Sequence, residues 1–174
     1  GLAFVQEIKK NHRDAPHNVP AYVLGEHNDI QRCHHDGEPS GTAGVPVLEV
    51  LKKEDVRDVA VVVTRYFGGI KLGTGGLVRA YTKGAKIALE AARIITKVLY
   101  QVIVVTVDYT MLGALQNQLR LNQYDTKEIV YDEMVHLHVW VEQDDVSNFK
   151  AHMIEWTNGR AVLVDGEISY KIVD

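Results

Sequence analysis

The chain has 174 residues, enough for one medium domain or two small ones, and its 46% hydrophobic and 24% charged content is that of a soluble globular protein. No apolar run approaches the roughly eighteen residues needed to span a bilayer, and a single cysteine, Cys33, excludes an internal disulfide and fits a reducing compartment. The net charge of −4 divides unevenly: residues 1–98 carry 14 Lys and Arg against 11 Asp and Glu, net +3, whereas residues 99–174 carry 5 against 12, net −7. A broad nucleic-acid surface therefore has to lie on the first part, because phosphate backbones are held by clustered cations. The acidic part is expected to keep the molecule soluble, the alternative being a face for a basic protein. With no signal-peptide pattern, the expected location is the cytoplasm and no membrane partner is expected.

The chain opens without Met, inside a helical pattern of Leu2, Val5 and Ile8 followed by Lys9 and Lys10. Next, His12, Arg13, Asp14, His17 and Asn18 precede a strand over Ala21–Leu24. A turn over Gly25–Asp29 and a second short strand over Ile30–Cys33 complete a hairpin. His34, His35 and Asp36 follow; with His12 and His17 they have the chemistry of zinc ligands, but no pair has the i, i+4 spacing of a helical metal site, so loop histidines are expected and no metal or other cofactor. The loop Asp36–Gly44 is rich in glycine and hydroxyls, and Ser40 or Thr42 is placed to cap a short helix carrying Val45, Leu48 and Leu51.

The apolar, β-branched run Val59–Val63 predicts a strand buried on both faces rather than an edge strand. After it, Gly68, Gly69, Gly73, Gly75 and Gly76 let the backbone turn tightly or approach another group closely. Helical spacing then places Leu77, Ala80, Tyr81, Gly84, Ala88 and Ala92 on one face, with Arg79, Lys83, Lys86 and Arg93 on the other. N–H groups at the start of such a helix favour an anion, and Arg65, Lys71 and Arg79 can complete an anion site; the alternative is that the glycines serve only a tight turn and close helix-to-sheet packing and the basic face is solvated. The loop matches neither GxxxxGK[ST] nor GxGxxG with an acid about twenty residues on, so nucleotide hydrolysis and dinucleotide binding lack support. If the two glycine-rich loops meet, Asp36, Glu38, Ser40 and Thr42, with Gly37 and Gly41 between them, form one wall of a pocket and Arg65, Lys71 and Arg79 the other. That arrangement fits either a catalytic acid–base site or a structural ion-pair network, and no catalytic residue is assigned.

Ile94–Lys97 reads as a connector. Beyond it the pattern is strand (Leu99–Tyr109), helix (Met111–Leu121, apolar at Met111, Leu112, Leu115 and Leu119), strand (Thr126–Tyr131) and an alternating strand (Met134–Val141). In that last strand Val135, Leu137, Val139 and Val141 oppose His136, His138 and Trp140. A helix capped by Asp144 or Asp145, with Val146, Phe149, Met153 and Trp156 inward, ends at Asn158-Gly159 before a strand within Ala161–Val173. The order β-α-β-β-α-β is that of a split-βαβ, ferredoxin-like domain.

TRYFGGIKLGTGGLVRAY and the upstream DGEPSGTAGVPVLEVL together resemble the YigZ/IMPACT family of small translation-associated proteins over essentially the whole chain. The resemblance implies an IMPACT-type N-terminal domain over 1–97, with the fold of the second domain of a small-subunit ribosomal protein, preceded by a strand and the beginning of the first helix. It also implies a C-terminal domain over 98–174 like one of elongation factor G, giving an α+β protein of two domains. Where family members tend to read Ser-Asp-Asp-Gly-Glu-Pro, this chain has His34-His35-Asp36-Gly37-Glu38-Pro39, which removes support for a role of the first two positions. The expected function is non-enzymatic binding of RNA or the ribosome in translation. Arg65, Lys71, Arg79, Lys83 and Lys86 would contact the backbone around the glycine loop, and Tyr66 and Phe67 would either stack on bases or, for Phe67, pack in the core. The alternatives are an enzyme acting on a phosphorylated small molecule and a module that binds a translation-related protein.

Overall fold

The computed structural model describes residues 1–174 and divides into two compact units, Gly1–Ile94 and Ile95–Asp174. No helix is long and apolar enough to cross a membrane.

In the first unit β1 (His17–Leu24) is the centre of an antiparallel sheet ordered β2-β1-β3, with β2 (Ile30–Cys33) and β3 (Val59–Arg65) at its edges. Val19, Ala21 and Val23 sit opposite Val63, Val61 and Val59 on one face, where α2 (Gly44–Lys53) and α3 (Gly73–Ala91) cover them. α1 (Leu2–Asn11) lies against β1 and β3, with Val5 as its buried residue. β3 is thus an edge strand, contrary to the expectation from its sequence: its β-branched run places only Val59, Val61 and Val63 under the helices, and the alternate Ala60 and Val62 are half-buried.

Both helices bury part of the face predicted for them, Leu48 and Leu51 in α2 and Leu77, Tyr81 and Gly84 in α3, and differ in the rest. α3 buries Leu77, Tyr81, Ala85 and Leu89, one i, i+4 row, and leaves Ala80, Ala88 and Ala92 exposed. Small residues carried no directional signal there, whereas Leu and Tyr do. In α2 the inner residues are Val47, Val50 and Leu51, with Val45 outside. Neither Ser40 nor Thr42 caps α2; the Thr42 hydroxyl donates to Pro39 O at 2.6 Å. Gly84 marks a close approach of α3 to the sheet, since a Cβ there would lie 2.8 Å from Val63 Cγ1.

The second unit runs β4 (Thr96–Val107), α4 (Leu112–Leu121), β5 (Asp125–Tyr131), β6 (Val135–Glu142), α5 (Val146–Trp156) and β7 (Val162–Val173). Its antiparallel sheet is ordered β5-β6-β4-β7. Val135, Leu137, Val139 and Val141 are fully buried with Phe149, Met153, Leu115 and Leu119, as the alternation predicted. Thr96 and Lys97, expected in a connector, already pair with Val173 and Ile172, while Tyr109 has left the strand for a short 3-10 turn. Asp145 does not cap α5: its carboxylate accepts from the Tyr124 hydroxyl at 2.6 Å and from Asn148 Nδ2 at 3.1 Å. His136 and His138 stand on the face away from the helices. His136 bonds with Thr106 and Asp132, and His138 lies 3.7 Å from Glu128.

Candidate functional site

Where the two glycine-rich loops of the first unit meet, the deepest polar group is Glu38. Its side chain is 3% exposed, and Oε1 accepts from Arg65 Nε at 2.5 Å and from the Tyr81 hydroxyl at 2.7 Å. His17 Nε2 stands 3.8 Å from the same oxygen, while its Nδ1 donates to Asp36 O at 2.8 Å. The three partners come from β1, β3 and α3, so one carboxylate ties the loop to all three elements. Burial raises the Glu38 pKa, but the hydrogen bonds from Arg65 and Tyr81 and the facing positive charges outweigh it and hold the carboxyl below its ordinary range. Burial and the neighbouring carboxylate push the Tyr81 phenol up, and the Glu38 hydrogen bond raises Arg65 further. A carboxylate whose charge is matched in this way and whose pKa is lowered is a weak base, although both donors meet it at Oε1.

Asp36 is placed elsewhere. Its φ of 44° and the 84° of Gly37 turn the chain so that Oδ2 accepts from the Asn18 N–H at 2.7 Å and Oδ1 from Lys9 Nζ at 3.1 Å. Although burial opposes it, these donors hold the Asp36 carboxyl below its ordinary value. With His34, His35 and Gly37 it borders a cleft of about 530 Å³ beside α1 and Pro20. A second cleft, of about 290 Å³, brings together Glu38, Arg65 and Lys71 with Phe67, Ile70, Leu72, Gly73, Thr74 and Leu77. Of the pocket expected from the sequence, Glu38, Arg65 and Lys71 therefore share one cleft. Asp36, Ser40, Thr42 and Arg79 do not line it; Ser40 and Gly41 lie on the exposed turn before α2, and Thr42 is buried beneath it.

The glycine loop itself is open. Positive φ occurs at Gly69 and Gly73, while Gly68 and Gly75 have ordinary φ and Gly76 abuts the Leu72 side chain. No side chain caps the first turn of α3, and no acid sits in it. Phe67 is 58% exposed, so the core-packing alternative for it falls. Tyr66, half exposed, has its hydroxyl bonded to His12 Nδ1 at 2.8 Å and to Asp14, and its ring meets the His12 ring edge-on. Arg79, Lys83 and Lys86 stand exposed at i, i+4 and i+7, and neither they nor Lys71 pair with a carboxylate. Like charges at that spacing cost a helix a few tenths of a kcal/mol, so the stripe does not serve helix stability.

Sequence reasoning missed the partnership of Tyr81 and His17 with Glu38. The available signal was the phenol: a tyrosine on the inner face of a helix otherwise lined by Leu, Ala and Gly requires a buried acceptor.

Comparison with known proteins agrees with this division. Residues 2–89 match the family model described as the Impact N-terminal domain, and residues 105–160 match a domain of unknown function, DUF1949. The IMPACT family member YvyE of Bacillus subtilis is 48% identical over 167 residues, 96% of this chain and 77% of the relative. The IMPACT family member YigZ of Escherichia coli is 36% identical over 93% of this chain and 80% of its own length. Protein IMPACT of Xenopus laevis is similar over a shorter stretch, 47% identical across 62 residues, 34% of this chain and 19% of that protein. A solved structure described as a hypothetical protein, 33% identical, superposes with a TM-score of 0.50 over 95% of this chain and 81% of that one.

Proposed function

The chain belongs to the IMPACT family, and on that premise we propose that it is a translation-associated protein of the cytoplasm. It acts without catalysis, by contacting RNA or the ribosome through the first unit. Two fold assignments accompany the proposal. The first unit takes the fold of the second domain of a small-subunit ribosomal protein. The second is a ferredoxin-like split βαβ domain like one of elongation factor G, supported by its β-α-β-β-α-β order and β5-β6-β4-β7 sheet.

The observation that carries the functional reading is the unpaired cationic stripe Arg79, Lys83 and Lys86 beside Lys71 and the uncapped first turn of α3. Phosphates complement both: the cations by charge and the free N–H groups by hydrogen bonding. Arg65 supports the site differently from a phosphate ligand, by holding Glu38 and thereby the loop. The enzymatic alternative is weaker because Arg65 and Tyr81 hold Glu38 through Oε1, Asn18 and Lys9 hold Asp36, and the two carboxyls face different clefts.

Binding of the nuclease-treated protein to structured RNA across roughly 50–200 mM salt tests the proposal. Each phosphate contact contributes about 0.7 to 0.9 to the slope of log K against log salt, so Arg79→Ala with Lys83→Ala should lower that slope by about 1.5. Binding whose slope ignores the double substitution would overturn the assignment to α3. Failure to bind RNA, together with a copurifying protein that survives nuclease, would favour the protein-binding alternative.

A further inference from the structure

We propose that the glycine-loop cleft takes unpaired nucleotides, with a base stacked on Phe67, rather than the backbone of a duplex. The inference rests on the RNA reading of this surface and narrows it to a substrate class.

A surface built only to follow the phosphates of a double helix needs cations and hydrogen-bond donors. It has no use for exposed apolar side chains, because the bases of an A-form duplex are stacked inside it. Here the loop between β3 and α3 presents Phe67 58% exposed, Ile70 75% and Leu72 47%. All three border the 290 Å³ cleft, on which Lys71 also stands. Exposed apolar groups gathered around one concavity mark a binding surface. The preceding residue, Tyr66, is held through its hydroxyl by His12 and Asp14, which anchors the chain next to Phe67. Anchoring the backbone beside the stacking residue reduces the entropy lost on binding.

The deeper side of the cleft decides the class of ligand. Glu38 and Arg65 line it with their charges paired to each other, so a base entering between Phe67, Ile70 and Leu72 leaves no buried charge unmatched. Lys71 at the cleft and the exposed stripe Arg79, Lys83 and Lys86 farther along α3 supply the charge complement of the phosphates of a strand that continues from that base. An anionic membrane also combines apolar and cationic demands, but it favours an apolar face that lies flat in the interface, and this apolar set surrounds a cleft lined by a carboxylate.

Fluorescence anisotropy with an unstructured RNA oligonucleotide and a fully paired hairpin of equal phosphate number separates the cases, using the full chain as wild type and as Phe67→Leu. Phe67→Leu keeps an apolar side chain at an exposed position and removes the aromatic face; a thermal melt checks that it folds as the wild type does. The expected result is tighter binding of the unstructured RNA, weakened about fivefold or more by Phe67→Leu, with hairpin affinity unchanged. Equal binding of both RNAs, indifferent to Phe67→Leu yet still reduced by Arg79→Ala with Lys83→Ala, would overturn this inference and leave the broader RNA reading standing. No binding of either RNA would remove both. In that event, binding to vesicles of phosphatidylcholine and phosphatidylserine that falls in Phe67→Leu would assign the loop to a lipid surface instead.

Discussion

The two units solve the same packing problem with different materials. Beside its apolar cluster the first buries Asn18, Glu38 and Thr42, and uses Glu38 to bind β1, β3 and α3 to one loop. In the second, β6 alternates without interruption, and its carboxylates sit outside the core in surface pairs such as Lys150–Asp165 at 2.7 Å and Lys171–Asp125 at 3.2 Å. Surface pairs of this kind contribute little, whereas a desolvated carboxylate is stable only while its partners stay in place. The difference shows where positional precision is spent. The second unit buries no charged side chain, while the first places two loops through a buried carboxylate, and those loops carry the exposed Phe67, Lys71 and the start of α3.

The sharpest way to break the comparison is to remove one key group from each unit. Glu38→Ala leaves Arg65 and Tyr81 without their acceptor and should destabilise the first unit by about 3–5 kcal/mol. Leu137→Ala, a fully buried site, should cost the second unit about 2–5 kcal/mol. Both tryptophans, Trp140 and Trp156, lie in the second unit, so their fluorescence follows that unit while amide exchange in β1 and α3 follows the first. Glu38→Ala should move only the amide-exchange transition; a loss below about 1 kcal/mol there would mean the network is incidental. Next in size is Gly84→Ala. Its new Cβ would lie 2.8 Å from Val63 Cγ1, so α3 must shift from β3, at about 1–3 kcal/mol by chemical denaturation. An unchanged midpoint would mean that this approach is loose.

The same contrast explains what the sequence made legible. In the second unit every element was readable, because alternation in β6 and the Val146, Phe149, Met153 and Trp156 row are local patterns with short periods. In the first, the hairpin, the two glycine loops and the outward Arg79, Lys83 and Lys86 were readable too. The edge position of β3 was not, because a β-branched run reports β propensity and says nothing of how many neighbours a strand has. Nor was the separation of Asp36 from Glu38: two residues apart in sequence, they turn to different clefts through positive φ at Asp36 and Gly37. Glu38 meets Arg65 and Tyr81 across 27 and 43 residues, and no periodic pattern encodes such pairs.

Acid provides the smallest and most selective perturbation of the network. The Glu38 carboxyl is held below its ordinary value of 4.5, so its contribution to stability is complete above that value and lost as pH falls through the depressed folded one, where the unfolded chain has already taken up the proton. Asp36 acts in the same direction below 3.8, reduced by the partial exposure of its Lys9 partner. The loss should be smaller than in Glu38→Ala, because a protonated carboxyl still fills its space and keeps an oxygen to accept from Arg65. In the second unit, Asp108 and Asp132 are also depressed, through Thr110 and the Met134 N–H, but they lie toward solvent, where screening shrinks their share. Lowering the pH from about 5 to about 3 should therefore reduce the amide protection factors in β1 and α3, taken against the intrinsic exchange rate at each pH, more than it shifts the tryptophan-reported transition. Glu38→Gln, which cannot titrate, should flatten that dependence toward the small remainder left by Asp36. If Glu38→Gln and the wild type keep the same acid profile in the first unit, the carboxylate is not what links its stability to pH.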